Sequence, residues 1–405
     1  MGNFALGSHE FDLRSLPAEF YLDPYPTYAL LRSETPLFQC PDGSYFLTRY
    51  ADLNAIYRDA RRFSSDKKLQ FAPVFGEGSP LYEHHTTSLV FNDPPLHTRV
   101  RKAIGNALSN RVVETMRAGL EALVEDLLVR MEGLEEVDIV ADYAAAIPVE
   151  VIGNLLSIPK DERGPLRRWS LGILGGLEVG LDSEKLVYGN QCVEEFLAYL
   201  NEFIARRRKR LTNEDDILAR LLRWESDGER LSSAELYHQC IFLLNAGHET
   251  TTNLIGNGVE LLLRFPASRD QLIRNPSLVD SAVEEMLRYE SSNQLGNRTT
   301  TQSVEIGGVE IPAGTVLTLC IGAANRDPAQ IPHPDAFDIS RHPNAHLAFG
   351  AGIHTCAGLN VARMEARVAI ARLFERFPHI ELRGAQTRSD RARFRGFTRL
   401  PVGIG

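Results

Sequence analysis

From residue 52 to residue 287 apolar side chains recur at three- and four-residue spacing, the period of helices that bury one stripe. Residues 112–131 and 191–204 carry the pattern most cleanly. Upstream, residues 26–32 predict a short helix with Pro26 in its first turn, where a missing N–H costs nothing. Residues 38–48 predict a hairpin turning at Asp42-Gly43. After Val304 the period changes to two. Val304-Glu305-Ile306 and Val309-Glu310-Ile311 flank Gly307-Gly308, a second hairpin signal, and a further strand is expected over 316–321. Residues 70–82, with Pro73, Gly76, Gly78 and Pro80, have the composition of a long irregular loop. Irregular chain is also expected over 325–351, then a helix over 356–377 and short extended pieces to the end. The pattern therefore predicts a mainly α chain with small β-sheets, an α+β fold, without repeats, low-complexity segments or an interdomain linker.

The longest helical run, 233–265, opens on Ser232 and Glu235, spaced as a capping box, and stops before Pro266. A helix of that length spans roughly 50 Å, enough to cross a domain. Its middle, Ala246-Gly247-His248-Glu249-Thr250-Thr251-Thr252, breaks helix preference with a glycine and three β-branched residues. Such breaks are expected at functional sites, although threonines bonding back to carbonyls one turn earlier are a structural alternative. A zinc-protease motif is excluded, because H-E-x-x-H requires a second histidine where Thr252 stands.

Composition narrows the class. The chain has 405 residues, 43% hydrophobic and 24% charged, the balance of a globular protein with a large core. A net charge of −9 argues against a general nucleic-acid binder. The basic run 206–210 reads as a solvated helix end opposing the macrodipole, with Glu214-Asp215-Asp216 close behind. Cys40, Cys192, Cys240, Cys320 and Cys356 are scattered, odd in number and without a C-x-x-C pair, as in a reducing compartment. Residues 1–10 lack the basic and apolar regions of a signal peptide, and no stretch has the 18 or so apolar residues of a membrane span. A cytoplasmic protein with no membrane association is expected.

The most informative segment is F-G-A-G-I-H-T-C-A-G at 349–358, with three glycines around one cysteine and an apolar helix pattern directly after it. Glycines let a backbone pass close to something flat or bulky, and a cysteine near a helix N-terminus is favoured as thiolate. A dinucleotide fingerprint fails, since G-x-G-x-x-G started at Gly350 needs glycine at Thr355. Zinc fails as well, for want of a second ligand pair.

This segment resembles the haem-binding signature F-G-x-G-x-H-x-C-x-G of the cytochrome P450 family, and every specified position agrees. The resemblance implies a single triangular haem-enclosing domain over 1–405 with a long central helix. It implies haem b (iron protoporphyrin IX) ligated by the thiolate of Cys356, lined by Ala246, Phe349 and Gly358, with dioxygen as co-substrate. Ala246 to Thr250 is similar to the family's A-G-x-[DE]-T, which makes Glu249 and Thr250 the acid–alcohol pair that relays protons during oxygen activation. Glu285-x-x-Arg288 resembles the family's E-x-x-R, joined by Arg341 in a structural role. His97, Arg101, Arg298 and His354 stand at the positions that partner the haem propionates; Leu96 departs from a more polar family preference. By the same alignment Phe242, Asn245, Ala246, Gln294 and Phe394 contact substrate, with 70–90 as a lid. The similarity runs from about Tyr21 to the end and is to bacterial soluble members. It implies a monomeric monooxygenase that hydroxylates or dealkylates a hydrophobic small molecule. Electrons would come from a ferredoxin and an NAD(P)H-dependent ferredoxin reductase, attracted by Arg99, Lys102, Arg363 and Arg367. The rivals are a peroxide-driven or nitric-oxide-reducing P450 and a haem sensor without turnover.

Overall fold

The capping box forms as the sequence predicts. Ser232 Oγ accepts from the Glu235 amide at 3.1 Å, and Glu235 accepts from the Ser232 amide at 2.7 Å. It starts the central helix, Ser233–Arg264, whose end coincides with Pro266 opening the next helix. The computed structural model describes residues 5–404 apart from 8–9, 210–216, 224 and 227–228. Arg210 and the acidic residues 214–216 thus lie outside the described residues. Arg206, inside them, donates to Glu162 at 2.8 Å, as a solvated helix end does.

The helices used below are α1 (Tyr25–Glu34), α2 (Tyr50–Arg58), α3 (Lys68–Phe75), α4 (Pro80–Thr87), α5 (Leu96–Ala107), α6 (Asn110–Met131), α7 (Ala146–Leu155), α8 (Leu166–Gly175), α9 (Ser183–Arg208), the central α10, α11 (Val279–Tyr289) and α12 (Leu359–Arg376). The strands are β1 (Leu37–Gln39), β2 (Tyr45–Leu47), β3 (Phe63–Ser64), β4 (Leu295–Thr300), β5 (Val304–Ile306), β6 (Val309–Ile311) and β7 (Val316–Cys320). The chain forms two compact units, one of residues 1–64, 119–147 and 250–405, the other of 65–118 and 148–249. Helices α6, α7 and α10 contribute to each.

In the first unit β1-β2-β7-β4-β3 make one sheet, antiparallel except where β7 runs parallel to β2. Period-two alternation buries both of its faces. Tyr45, Leu47, Leu317 and Leu319 join Leu53, Ile56 and Tyr57 of α2 on one side. Phe46, Leu295 and Cys320 join Tyr28 and Leu31 of α1 on the other. Both predicted hairpins are present, β1–β2 and β5–β6, and Gly307 and Gly308 take φ of 58° and 81°, the left-handed pair such a turn requires.

The second unit is helical. Trp169 of α8 stacks on Phe196 of α9 at 4.8 Å, and Gly172 lets the Cys192 sulfur approach so closely that a Cβ there would sit 2.5 Å from it. The loop expected over 70–82 is a correction: α3 and α4 occupy most of it. Pro80 is at the first turn of α4, where proline is pre-organised, and Gly76 and Gly78 (φ 83° and 80°) are confined to the turn between the helices.

Candidate active site

The 349–358 segment folds as a glycine-hinged loop ahead of α12. Gly350 and Gly352 have φ of 64° and 71°, and a Cβ on Gly352 would lie 2.2 Å from the Tyr57 carbonyl oxygen, so only glycine fits. The Cys356 amide donates to the Phe349 carbonyl at 2.9 Å, closing the loop around the thiol. Helix α12 begins at Leu359, three residues later than the expected start, because the turn Gly352–His354 and the N-cap Gly358 hold Cys356 outside it. This loop stays half open, and Ile353 is 41% exposed. The other four cysteines are buried.

Tyr57 of α2 ties the loop to β4. Its ring lies 5.0 Å from the Arg298 guanidinium, and its hydroxyl packs on Gly296, where a Cβ would sit 2.1 Å away. Sequence reasoning missed Tyr57, which no motif marks. In this unit the structure thus assembles a half-open sulfur, the apolar Phe349, Ile353, Ala357 and Leu359, and the cationic candidates Arg298 and His354. That set fits an iron porphyrin: thiolate for the metal, apolar surface for the ring, cations for its carboxylates.

Glu285 and Arg288 meet on the buried face of α11 with no exposure, in a bidentate pair at 2.7 and 2.7 Å. Arg341 reaches Glu285 at 3.2 Å, as the motif implies. The basic patch expected to attract a redox partner is already neutralised in large part. Arg363 forks onto Glu284 at 2.7 and 2.6 Å, Arg367 pairs with Asp280 at 2.9 Å, and Arg99 pairs with Glu235. Burial alone would raise Glu284, but hydrogen bonds from His346 and Arg363 outweigh it and hold the carboxyl at about 2.

On α10 the spacing places Phe242, Ala246 and Thr250 along one helical stripe. Ala246 is exposed and Phe242 and Thr250 half-buried, while Leu244, Asn245, His248 and Glu249 are buried. Gly247 has a packing reason: a Cβ there would lie 2.7 Å from Ile152 of α7. In the second unit His97 and Arg101 are one turn apart on α5, His97 buried. Gln294 is buried beside α1: its amide nitrogen donates to Ser291 O at 2.7 Å and to the Tyr25 hydroxyl at 3.3 Å, while its Oε1 has no hydrogen-bond partner. Phe394 is buried, bridging to Asn293 with Arg391 over its ring.

Sequence reasoning also passed over Glu365, a carboxyl among the buried residues Val361, Met364, Ala366, Val368 and Ala369 of α12, which was its visible signal. Burial pushes it up to about 8, against a bond from Thr251 that lowers it. The folded chain therefore binds a proton between pH 4.5 and 8 that the unfolded chain does not, and loses stability as pH rises through that window. At pH 7 the cost is about 3 kcal/mol. Glu365→Gln is accordingly expected to raise the pH 7 melting temperature, with the gain shrinking towards pH 4.5; a pH-independent effect in thermal melts would contradict the assignment.

Comparison with known proteins agrees with this geometry. The family model described as Cytochrome P450 matches residues 268–404. The chain is 37% identical to vitamin D(3) 25-hydroxylase of Pseudonocardia autotrophica over 98% of each protein. It is 36% identical to 6-deoxyerythronolide B hydroxylase of Saccharopolyspora erythraea, over 90% of this chain and 91% of that one. The solved structure of P450BioI in complex with an acyl carrier protein ligated to hexadec-9Z-enoic acid superposes with a TM-score of 0.91 at 33% identity, covering 96% of this chain and 100% of that one. A glycine-hinged cysteine loop before a helix, a long central helix and a small mixed sheet are the P450 fold, and the chain belongs to the cytochrome P450 family. It is a P450 monooxygenase, binding haem through a cysteine thiolate and using dioxygen. Among the described residues no helix is long and apolar enough to cross a membrane.

Proposed function

We propose that this enzyme inserts one atom of dioxygen into an apolar small molecule, by hydroxylation or oxidative dealkylation, with electrons from a ferredoxin and its NAD(P)H-dependent reductase. The observation that carries the reading is the half-open Cys356 on its glycine-hinged loop. Bound haem supplies dioxygen activation. Cys356 is its ligand; Ala246, Phe349 and Gly358 line it; His97, Arg101, Arg298 and His354 hold its carboxylates by charge-assisted hydrogen bonds. Glu249 and Thr250 move protons from the protein interior to the reacting oxygen. Phe242, Asn245, Ala246, Gln294 and Phe394 position substrate, and the Glu285–Arg288–Arg341 cluster is structural. The chain acts as a single P450 domain, a monomer, in the reducing cytoplasm that suits five cysteines outside any disulfide. The paired arginines Arg363 and Arg367 favour recruitment by exchange: an acidic ferredoxin competes for them with Glu284 and Asp280.

The test is turnover of the haem-loaded enzyme with a ferredoxin and its reductase under ¹⁸O₂. One ¹⁸O per product is the expected result. Nitric oxide consumption driven by NADH without ferredoxin would transfer the chain to the reductase type, and a thiolate-haem absorption band with no turnover of any kind would make it a sensor.

A further inference from the structure

Three histidines lie outside every motif used above, yet the second unit buries them together. His84 and His85 are on α4 and His238 is on α10, with 1%, 2% and 7% exposure. The His84 ring is 5.0 Å from His85 and 5.6 Å from His238. Phe71, Phe75 and Phe91 close around His85 at 5.7, 5.3 and 5.7 Å. Asn245, two turns along α10 from His238, approaches His84 Nε2 with its amide nitrogen at 3.3 Å. If that amide donates, His84 carries its proton on Nδ1. Four buried polar atoms then have no partner: His84 Nδ1, His85 Nε2, His238 Nδ1 and Asn245 Oδ1. Burying polar atoms unpaired is costly, and so many in one place call for a reason.

The helix that carries two of them is pinned at both ends. At its start the Leu81 amide donates to Asn190 Oδ1 at 2.9 Å, and Leu81 packs on Gly189, where a Cβ would lie 2.8 Å from it. At its end Gln239 donates to Thr87 O at 2.8 Å and accepts from the Leu89 amide at 3.2 Å. The position of α4 is therefore set by α9 at its start and by α10 at its end, and the contact of His84 with Asn245 is a further tie to α10. The cluster is also electrically neutral. Burial lowers all three imidazoles, His85 to about 3 and His238 to about 4, and no carboxylate or cationic side chain perturbs them. Metal binding is disfavoured: no group of metal-holding residues exists among those described.

We propose that His84, His85, His238 and Asn245 form the polar recognition element of the substrate site, and that the group they take is an uncharged hydroxyl on an otherwise apolar skeleton. A hydroxyl both donates and accepts, which matches one imidazole N–H, one amide oxygen and two imidazoles of either sense. A carboxylate or ammonium would be buried beside Phe71, Phe75 and Phe91 without a counter-charge. On α10, His238, Phe242 and Asn245 share one stripe, and Phe242 leads on to Ala246 and Thr250. At 1.5 Å per residue the hydroxyl, between Asn245 and His238, sits roughly 8–18 Å along the helix from Thr250, which bounds the distance to the oxidised carbon. The inference rests on the P450 reading of α10 and names its substrate class.

The test uses the haem-loaded full chain and two matched ligand sets: decane, decan-1-ol and decanoate; adamantane, 1-adamantanol and adamantane-1-carboxylate. Affinities are read by equilibrium dialysis, independent of the haem signal. The alcohol is expected to bind at least about tenfold tighter than hydrocarbon or carboxylate in at least one set. His85→Phe and Asn245→Leu should each reduce that preference to under about threefold, while the melting temperature of His85→Phe stays level or rises, since an unpaired polar atom has been removed. No alcohol preference in either set, tightest binding of a carboxylate, or a preference untouched in both variants overturns the proposal. The thiolate-haem absorption band, recorded on the same samples, separates the two readings: its absence in the wild type removes the P450 basis, and a normal band without alcohol preference sinks this inference alone.

Discussion

Arg288→Ala is expected to cost about 3–5 kcal/mol of folding stability, a large part of the roughly 5–15 kcal/mol a domain possesses. The guanidinium is fully buried and uses its whole fork: Glu285 at 2.7 and 2.7 Å, Asn325 O at 3.1 Å, Pro334 O at 2.7 Å and Ala336 O at 3.0 Å. Glu285 in turn accepts from the Asp338 amide at 2.9 Å, Arg341 at 3.2 Å and Asn344 at 3.0 Å. The irregular chain over 325–344 has few backbone ladders, so these bonds fix its path. Truncation leaves a buried carboxylate short of its main counter-charge and the Asn325 and Pro334 carbonyls without the Arg288 donor, while Ala336 O keeps its bond from Arg341 at 3.2 Å. Arg288→Lys keeps the charge but cannot reproduce the planar fork, and a loss of about 2 kcal/mol is expected. Denaturant melts of both variants decide; a loss below 1 kcal/mol for Arg288→Ala would mean that Arg341 alone carries the hub.

Cys356→Ala is expected to do the reverse, abolishing function while sparing the fold. The loop is closed by the Cys356 amide, which alanine retains, and the thiol is only half-buried. Stability of the haem-free protein should move by less than about 1 kcal/mol, in the range of ordinary partly exposed substitutions. Monooxygenase turnover should fall at least about 10³-fold and the thiolate signature in the absorption spectrum should vanish. No other sulfur can take over. Burial pushes the Cys240 and Cys320 thiols up to about 12 and raises Cys40 and Cys192, so all four stay protonated. Retained turnover in the alanine variant would remove Cys356 from the metal.

The pair of variants marks the boundary between local and tertiary information. What the sequence determined by itself was carried by short spacings: the reciprocal bonds of Ser232 and Glu235, the left-handed Gly307-Gly308 turn, the three-residue separation of Glu285 and Arg288, and the glycines flanking Cys356. Each is fixed by backbone geometry within one or two turns, so the residues specify it without knowing their surroundings. The tertiary structure decided whatever depends on which distant segment arrives. Pro73, Gly76, Gly78 and Pro80 read as loop, yet α3 and α4 pack on one another through Phe71, Phe75 and His85, and Leu81 of α4 packs on Gly189 of α9. Gly247 is glycine because Ile152 needs the space. Gln294 turned inward to Tyr25 and Ser291, Arg363 and Arg367 met Glu284 and Asp280, and Glu365 lost its charge to burial. None of these has a local signature, because desolvation and close approach are properties of neighbours far away along the chain.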